Sequence, residues 1–280
     1  MVNFSGSITD VPGIHVGQAH DLEALTGCTV ILARNGAIGG VDQRGGAPGT
    51  RETDLLRPMH LVERVQAVLL CGGSAYGLDA ASGVMRYLEE QKQGFRTPAG
   101  VVPIVPAAVI YDLEVGNCKV RPDAKMGYAA CMSSSAEPPS QGNVGAGAGA
   151  SVGKLLGMKY ATKSGIGTAS MKTKGGLIVG VMIVVNAFGD VLDLESRNIL
   201  AGLRRPIKHG DPHDTPYADT FAVMQSLIGR TILKTARGAN TVIGVIATNA
   251  KMSKDEANKI AQMGQNGLAL TINPAHTMFD

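Results

Sequence analysis

Arg237-Gly-Ala-Asn-Thr-Val-Ile-Gly-Val-Ile-Ala-Thr-Asn249 passes from a flexible Gly238-Ala239 pair through Asn240-Thr241 into a run, Thr241 to Ala247, that is almost wholly apolar or β-branched. Such a run bounded by turn residues predicts a buried strand, with Thr241 as its first residue. A hydroxyl at the mouth of a rigid strand is held in one position, and the amide before it, close to Gly238, can be bent or cut with little loss of packing. Once that amide is cut, Thr241 carries a free α-amino group. The ordinary pKa of such a group, roughly 8, lies near enough to neutrality for it to take the proton of the residue's own hydroxyl. Two readings of the stretch stand side by side: an N-terminal nucleophile, or an ordinary threonine opening a core strand.

The chain around this stretch has the composition of a globular protein, with 280 residues, 44% hydrophobic and 18% charged. Its one Pro/Ser-rich segment, Ser133 to Ser140, is short enough for a surface loop, so a single domain is expected. The 37 glycines lie in short clusters between apolar runs, which points to tight turns and close backbone packing. A net charge of +3, no Lys/Arg run longer than two residues and no tryptophan argue against a nucleic-acid partner. Cys28, Cys71, Cys118 and Cys131 are widely spaced, with no C-x-x-C pair, and Met1 to His20 has no apolar targeting core. That pattern predicts reduced, mostly buried thiols in a cytoplasmic protein. The longest apolar run, Gly176 to Val185, falls short of the about 20 residues a membrane-spanning helix needs, so no membrane partner is expected.

Along the chain, Thr9 to Gly17 reads as a turn-rich start, Cys28 to Ala33 as a first strand and Gly36 to Thr53 as a glycine-rich loop. Ala67 to Cys71 is a short strand running into Gly72-Gly73-Ser74. Ser74 is the predicted N-cap of a helix carrying Leu78, Ala81, Met85 and Leu88 as far as Gly94. The glycine turn there either docks anions or carbonyl oxygens on free backbone N–H groups or lets helix and sheet pack closely. Pro103 and Pro106 keep Val101 to Tyr111 extended, and Ala124 to Met132 is a short helix.

The glycine-dense segment Gly142 to Leu155 fails as a phosphate loop, because Ala148 and Leu155 stand where glycine and Ser/Thr are required, and it never spells G-x-G-x-x-G. It delivers one cation, Lys154, to be read either as a site residue or as a solvated helix lysine. Gly165 to Met171 and Gly176 to Val185 form a predicted hairpin ending at Asn186, a turn former or a fixed amide donor suited to an oxyanion. Arg204 to Pro216 places His209 and His213 near Asp211 and Asp214, weak evidence for a metal. Ala218 to Leu233 is a predicted helix with Phe221, Met224, Leu227 and Ile228 on one face. Ser253-Lys-Asp-Glu256 is a capping box opening a helix whose stripe is Ala257, Ile260, Ala261 and Leu268, after which the chain turns at Asn273-Pro274.

Asp10-Val-Pro-Gly-Ile-His-Val-Gly17, Gly45-Gly-Ala-Pro-Gly-Thr-Arg-Glu-Thr53, Gly72-Gly-Ser-Ala-Tyr-Gly-Leu-Asp-Ala80, Asn143-Val-Gly-Ala-Gly147, Val185-Asn-Ala-Phe-Gly189 and Asn240-Thr241 occur in this order. Together they resemble the L-aminopeptidase/D-esterase (DmpA-like) family, which includes β-aminopeptidases and nylon-oligomer hydrolases, over nearly the whole chain. The resemblance implies an α+β fold, a four-layered αββα sandwich of the N-terminal-nucleophile-like kind shared with ornithine-acetyltransferase-like enzymes. It implies one catalytic domain, 1–280, that cuts itself into 1–240 and 241–280.

By motif position, Thr241 would be the nucleophile and Asn240-Thr241 the cleavage site. Asn186 would be the oxyanion donor, with Tyr111 and Lys154 lining the same pocket. Gly73 and Ser74 would bind substrate, and Asp280 would hold the nucleophile's amine. Members of the family continue past this last position with Gly, a second acidic residue and a further strand, so 241–280 reads as C-terminally short: either the sequence is incomplete, or the amine has lost a partner and the sheet a strand. The implied activity is hydrolysis of N-terminal amino-acyl amides, esters or short peptides through an acyl-enzyme, without metal or cofactor, in a homo-oligomer, a tetramer by resemblance. An acyltransferase of the ornithine-acetyltransferase type and a non-catalytic family member are the alternatives.

Overall fold

A computed structural model describes residues 6–206, 215–235 and 240–280. The first sheet is built from β1 (Ile14–Asp21), β2 (Thr26–Ile38), β3 (Thr50–Arg51), β4 (Arg64–Cys71) and β5 (Ala107–Val109), in the order β1-β2-β4-β5-β3. Only β4 and β5 run parallel. Because side chains alternate across a strand, each strand supplies two different cores. Cys28, Val30 and Leu32 of β2, with Leu69 and Cys71 of β4, face α1 (Ala80–Glu90) and α2 (Ala124–Met132). Ile31 and Leu70 point the other way. The two helices cross where both are glycine: a Cβ on Gly83 would lie 1.8 Å from the Ala124 carbonyl oxygen, and one on Gly127 2.0 Å from that of Ala80.

The second sheet is antiparallel, in the order β6 (Ile166–Lys172), β7 (Ile178–Asn186), β8 (Thr241–Thr248). Ile166, Met182, Val184 and Ile243 pack on Ile31, Leu70 and Ile110 of the first sheet's side. On the opposite face, Val185 and Val242 meet Leu268 and Ile272. Leu268 belongs to the long helix that follows β8. The layers are therefore α1/α2, first sheet, second sheet and that C-terminal helix. Each large aliphatic side chain buried between them contributes roughly 1.5–3 kcal/mol, so the two apolar faces of β7 account for its central place.

Several sequence expectations change here. Thr241 to Ala247 reads as a buried strand, yet β8 is an edge strand of its sheet, with Ile243 buried, Gly244 exposed and the rest half-buried. Apolar composition alone does not separate the two cases. The helix expected over Ala218 to Leu233 is two, α3 (Thr220–Gln225) and α4 (Leu227–Thr235), because Ser226 leaves the helical region and its hydroxyl accepts from Gly229 N–H (3.1 Å). Val223, Met224, Ile232 and Leu233 pack inward on Leu155, Phe188 and Leu203, while Phe221 and Leu227 are exposed. The side chain of Ile228 lies outside the described residues.

Ser74 is not the cap of α1. A 3-10 turn, Ser74–Asp79, precedes that helix and is capped by Gly73. Both Gly73 (φ +79°) and Ser74 (φ +54°) are left-handed. The helix opened by Ser253 and Glu256, α5 (Lys254–Thr271), has its capping box in place. Cys28, Cys71 and Cys131 are buried free thiols and Cys118 is exposed.

Candidate active site

The β7–β8 register sets Asn186 directly opposite Thr241. Directly opposed residues of an antiparallel pair project to the same face, with Cβ atoms about 4.5–5.5 Å apart. That face carries Met182, Val184 and Ile243, so Asn186 and Thr241 close the end of the layer between the sheets. Asn186 is fully buried. Its Oδ1 accepts from Lys154 Nζ (2.7 Å) and from Ser151 N–H (3.1 Å), and its Nδ2 donates to the Tyr111 carbonyl (3.1 Å). Lys154 Nζ also donates to the Asn186 main-chain carbonyl (3.1 Å). Asn186, Lys154 and Tyr111 are thus joined directly, Tyr111 through its backbone. The Tyr111 phenol points at Glu114 (3.5 Å), and burial together with that carboxylate pushes its pKa up.

Lys154 is not a solvated helix lysine. It follows the short strand Ser151–Val152 in a turn whose amides bond to the chain after β7, Gly153 N–H to Gly189 O (3.1 Å) and Lys154 N–H to Phe188 O (3.2 Å). Gly153 has φ +68°, and a Cβ there would lie 2.0 Å from Leu203 N, so the turn requires glycine. Burial pushes the Lys154 amine down to about 7, against the opposing pull of Asp280, Glu114 and Asp112. An amine so placed sits near the protonation threshold at neutral pH, and its contacts with Asn186 orient the carboxamide in either state.

On the other side of Thr241, the Thr241 hydroxyl is hydrogen-bonded to the carbonyl oxygen of Asn240, the residue before it. Asn240 is buried, and its Nδ2 donates to the Phe279 carbonyl (3.1 Å). The Phe279 ring stacks on Phe188, 5.4 Å between centroids. Asp280 lies in the same corner. Its carboxylate accepts from Phe188 N–H (3.2 Å), Thr277 N–H (3.0 Å) and the Thr277 hydroxyl (2.8 Å), and its carbonyl accepts from Gly46 and Ala47 N–H (2.9 Å each). The GGAPG motif thereby docks the segment that carries Asp280.

In the glycine turn before α1 the backbone donors are not free. Gly72 N–H donates to Gly27 O (2.8 Å), Gly73 N–H to Asp112 Oδ1 (2.7 Å) and Ser74 N–H to Ile110 O (3.0 Å), so all three donors are engaged by protein. Close packing is the role its geometry supports. Asp112, whose carboxyl is pushed up by burial, also accepts from the Thr26 hydroxyl (2.8 Å). An open cavity of about 370 Å³ lies beside Ser151, lined also by Glu114, Met158, Lys163 and Arg204.

His209, His213, Asp211 and Asp214 lie outside the described residues. Among the described residues no cluster of His, Cys, Asp and Glu is arranged to hold a metal ion, and no helix is long and apolar enough to cross a membrane. Sequence reasoning missed Ser151 and Phe279, which act through main-chain atoms and leave no residue-type signal. It also missed Asp190, a buried carboxylate that accepts from Leu203 N–H (2.9 Å) and from both N–H and hydroxyl of Thr220 (2.7 Å each), anchoring α3 beside this corner.

The architecture is that of the N-terminal-nucleophile hydrolases in their DmpA-type variant. The solved L-aminopeptidase D-Ala-esterase/amidase of Ochrobactrum anthropi matches with a TM-score of 0.68 at 16% identity, over 99% of this chain and 74% of that one. A Burkholderia β-aminopeptidase matches with a TM-score of 0.65 at 19% identity, over 100% and 75%. The chain belongs to peptidase family S58, whose model matches residues 6–280. It is 45% identical over 294 residues to an uncharacterized aminopeptidase of Mycobacterium leprae, covering 98% of this chain and 76% of that protein. It is 32% identical over 274 residues to a 6-aminohexanoate-oligomer endohydrolase of Kocuria, covering 97% and 71%. The protein is a hydrolase of the aminopeptidase and amidohydrolase class.

Proposed function

We propose that this chain is a self-processing N-terminal-threonine aminopeptidase, cut between Asn240 and Thr241, that hydrolyses N-terminal amino-acyl amides, esters or short peptides through an acyl-enzyme on Thr241. The observation that carries the reading is the register pairing of Thr241 with the buried Asn186, with the Thr241 hydroxyl on the Asn240 carbonyl oxygen.

In the first step Thr241 Oγ1 attacks the Asn240 carbonyl carbon, the C–N bond breaks as an ester forms, and the proton passes to the released nitrogen. Water then hydrolyses the ester, leaving a carboxylate on Asn240 and restoring the hydroxyl. In the second step the new α-amine takes the proton from Oγ1 while the oxygen attacks the substrate carbonyl, a form of base assistance that typically contributes roughly 10²–10⁴-fold. A carboxamide nitrogen carries two hydrogens. One N–H of Asn186 bonds to Tyr111 O, and the second is the donor assigned to the oxyanion. Lys154 holds the opposite end of the amide, so the donor is oriented before charge develops, which is the condition under which such donors work best. Asp280 orients the α-amine once the junction is open. The same family resemblance supports a homotetramer, which light scattering would check.

Denaturing mass spectrometry of the purified protein tests the reading. Two fragments are expected, one ending at Asn240 and one beginning at Thr241, with hydrolysis of amino-acid p-nitroanilides. Thr241→Ala should give one intact, inactive chain. A wild-type chain that stays continuous through long incubation and still hydrolyses the p-nitroanilides would overturn it.

A further inference from the structure

The proposed scission chemistry uses the main-chain carbonyl of Asn240 and makes no use of its side chain, yet the residue is 5% exposed and its side chain specifically held. Nδ2 donates to the Phe279 carbonyl (3.1 Å), while Oδ1 is buried without a hydrogen-bond partner among the described residues. On its C-terminal side the Asn240–Thr241 peptide is fixed by the β7–β8 ladder. On its N-terminal side the carboxamide is the described anchor, and it ties Asn240 to a residue whose ring stacks on Phe188, two positions beyond Asn186. The carbonyl under attack and the proposed oxyanion donor are in this way referred to one corner of the fold.

We propose that Asn240 is a positioning residue for self-cleavage. Its carboxamide clamps the carbonyl within reach of Thr241 Oγ1, an alignment that attack at a fixed geometry requires. This inference rests on scission at Asn240–Thr241. Oδ1, without a hydrogen-bond partner among the described residues, adds a direction: once the bond is cut residue 240 becomes a chain end that can withdraw and hydrate that acceptor. The clamp therefore holds while the chain is intact and is released by the reaction it assists, clearing the space in front of Thr241.

Asn240→Ala and Asn240→Asp test this in the full chain. Aspartate keeps the shape and, when ionised, cannot donate to Phe279 O. The fraction cut is followed over time by denaturing electrophoresis and intact mass. Scission is expected to slow at least about tenfold in both variants, a loss of the size that misplacement of a reacting group produces. Activity per cut chain should equal that of wild type, because the carboxamide has left the site. Rates are compared well below the melting temperatures of the uncut Asn240→Asp and Thr241→Ala chains, because an ionised carboxylate at so buried a position is itself destabilising. Two results overturn the proposal: variants that cut at the wild-type rate, or a loss of activity per cut chain that parallels the loss of scission. A wild-type chain that never cuts removes the scission reading itself, and this proposal with it.

Discussion

At Lys154 the chemistry of one side chain can be followed through to a measurable pH dependence. Its amine is pushed down to about 7 by burial, whereas in an unfolded chain it would keep its proton up to about 10.4. Between these values the unfolded state binds a proton that the native state has released, so the stability assigned to this residue rises with pH across that window and its penalty is complete below 7. Lys154→Met removes the titration together with two hydrogen bonds to Asn186, the latter a nearly constant loss. The melting-temperature gap, wild type minus variant, should therefore widen in favour of wild type between pH 6 and pH 9. A gap that stays constant would mean that Lys154 titrates at its ordinary value. What is legible in the sequence at this scale is residue type in motif order, which singles out Thr241, Asn186 and Lys154, the residues that the β7–β8 register and the Lys154 bonds bring into one corner. The burial of Lys154 is not legible, because a lone lysine after glycines looks alike in solvent and in a wall. Ser151 and Phe279 were invisible because any residue supplies an N–H or a carbonyl.

Elements were legible where a side chain dictates the local backbone and illegible where only packing does. The box at Ser253 and Glu256 is a local code, and α5 begins there, with Ser253 N–H on Glu256 Oε2 (2.7 Å) and Glu256 N–H on Ser253 Oγ (3.3 Å). Ser253→Ala should cost about 0.5–2 kcal/mol, read as a lower urea midpoint with an unchanged slope. If the slope changes too, the mutation has altered more than the cap. By contrast, β8 has a composition that suits an edge and a centre equally, and nothing in Thr241 to Ala247 states how many strands flank it. The Ser226 break was readable in principle, since a serine three residues before Gly229 can cap a new helix start. The apolar periodicity across Ala218 to Leu233 concealed it.

At the scale of the whole molecule, alternation along β2, β4 and β7 predicts two faces per strand but not which face meets which layer. The order of layers came from family resemblance, and the structure supplies its physical content: the site lies where the inter-sheet layer ends. That placement separates two core mutations of similar cost. Met182 and Leu88 are both fully buried, Met182 between the sheets on the face shared with Asn186 and Leu88 between α1 and the first sheet. Truncating either to alanine should cost about 2–5 kcal/mol. Only Met182→Ala lets the sheets close on each other near the corner where Asn186 of the second sheet's β7 bonds to Tyr111 beyond β5 of the first. Displacements of about 1 Å at a reacting centre can cost about 10²-fold, so Met182→Ala should slow the proposed scission and turnover several-fold more than Leu88→Ala, both assayed well below their melting temperatures. Equal slowing by the two would make overall stability, rather than the spacing of the sheets, the quantity that sets the rate.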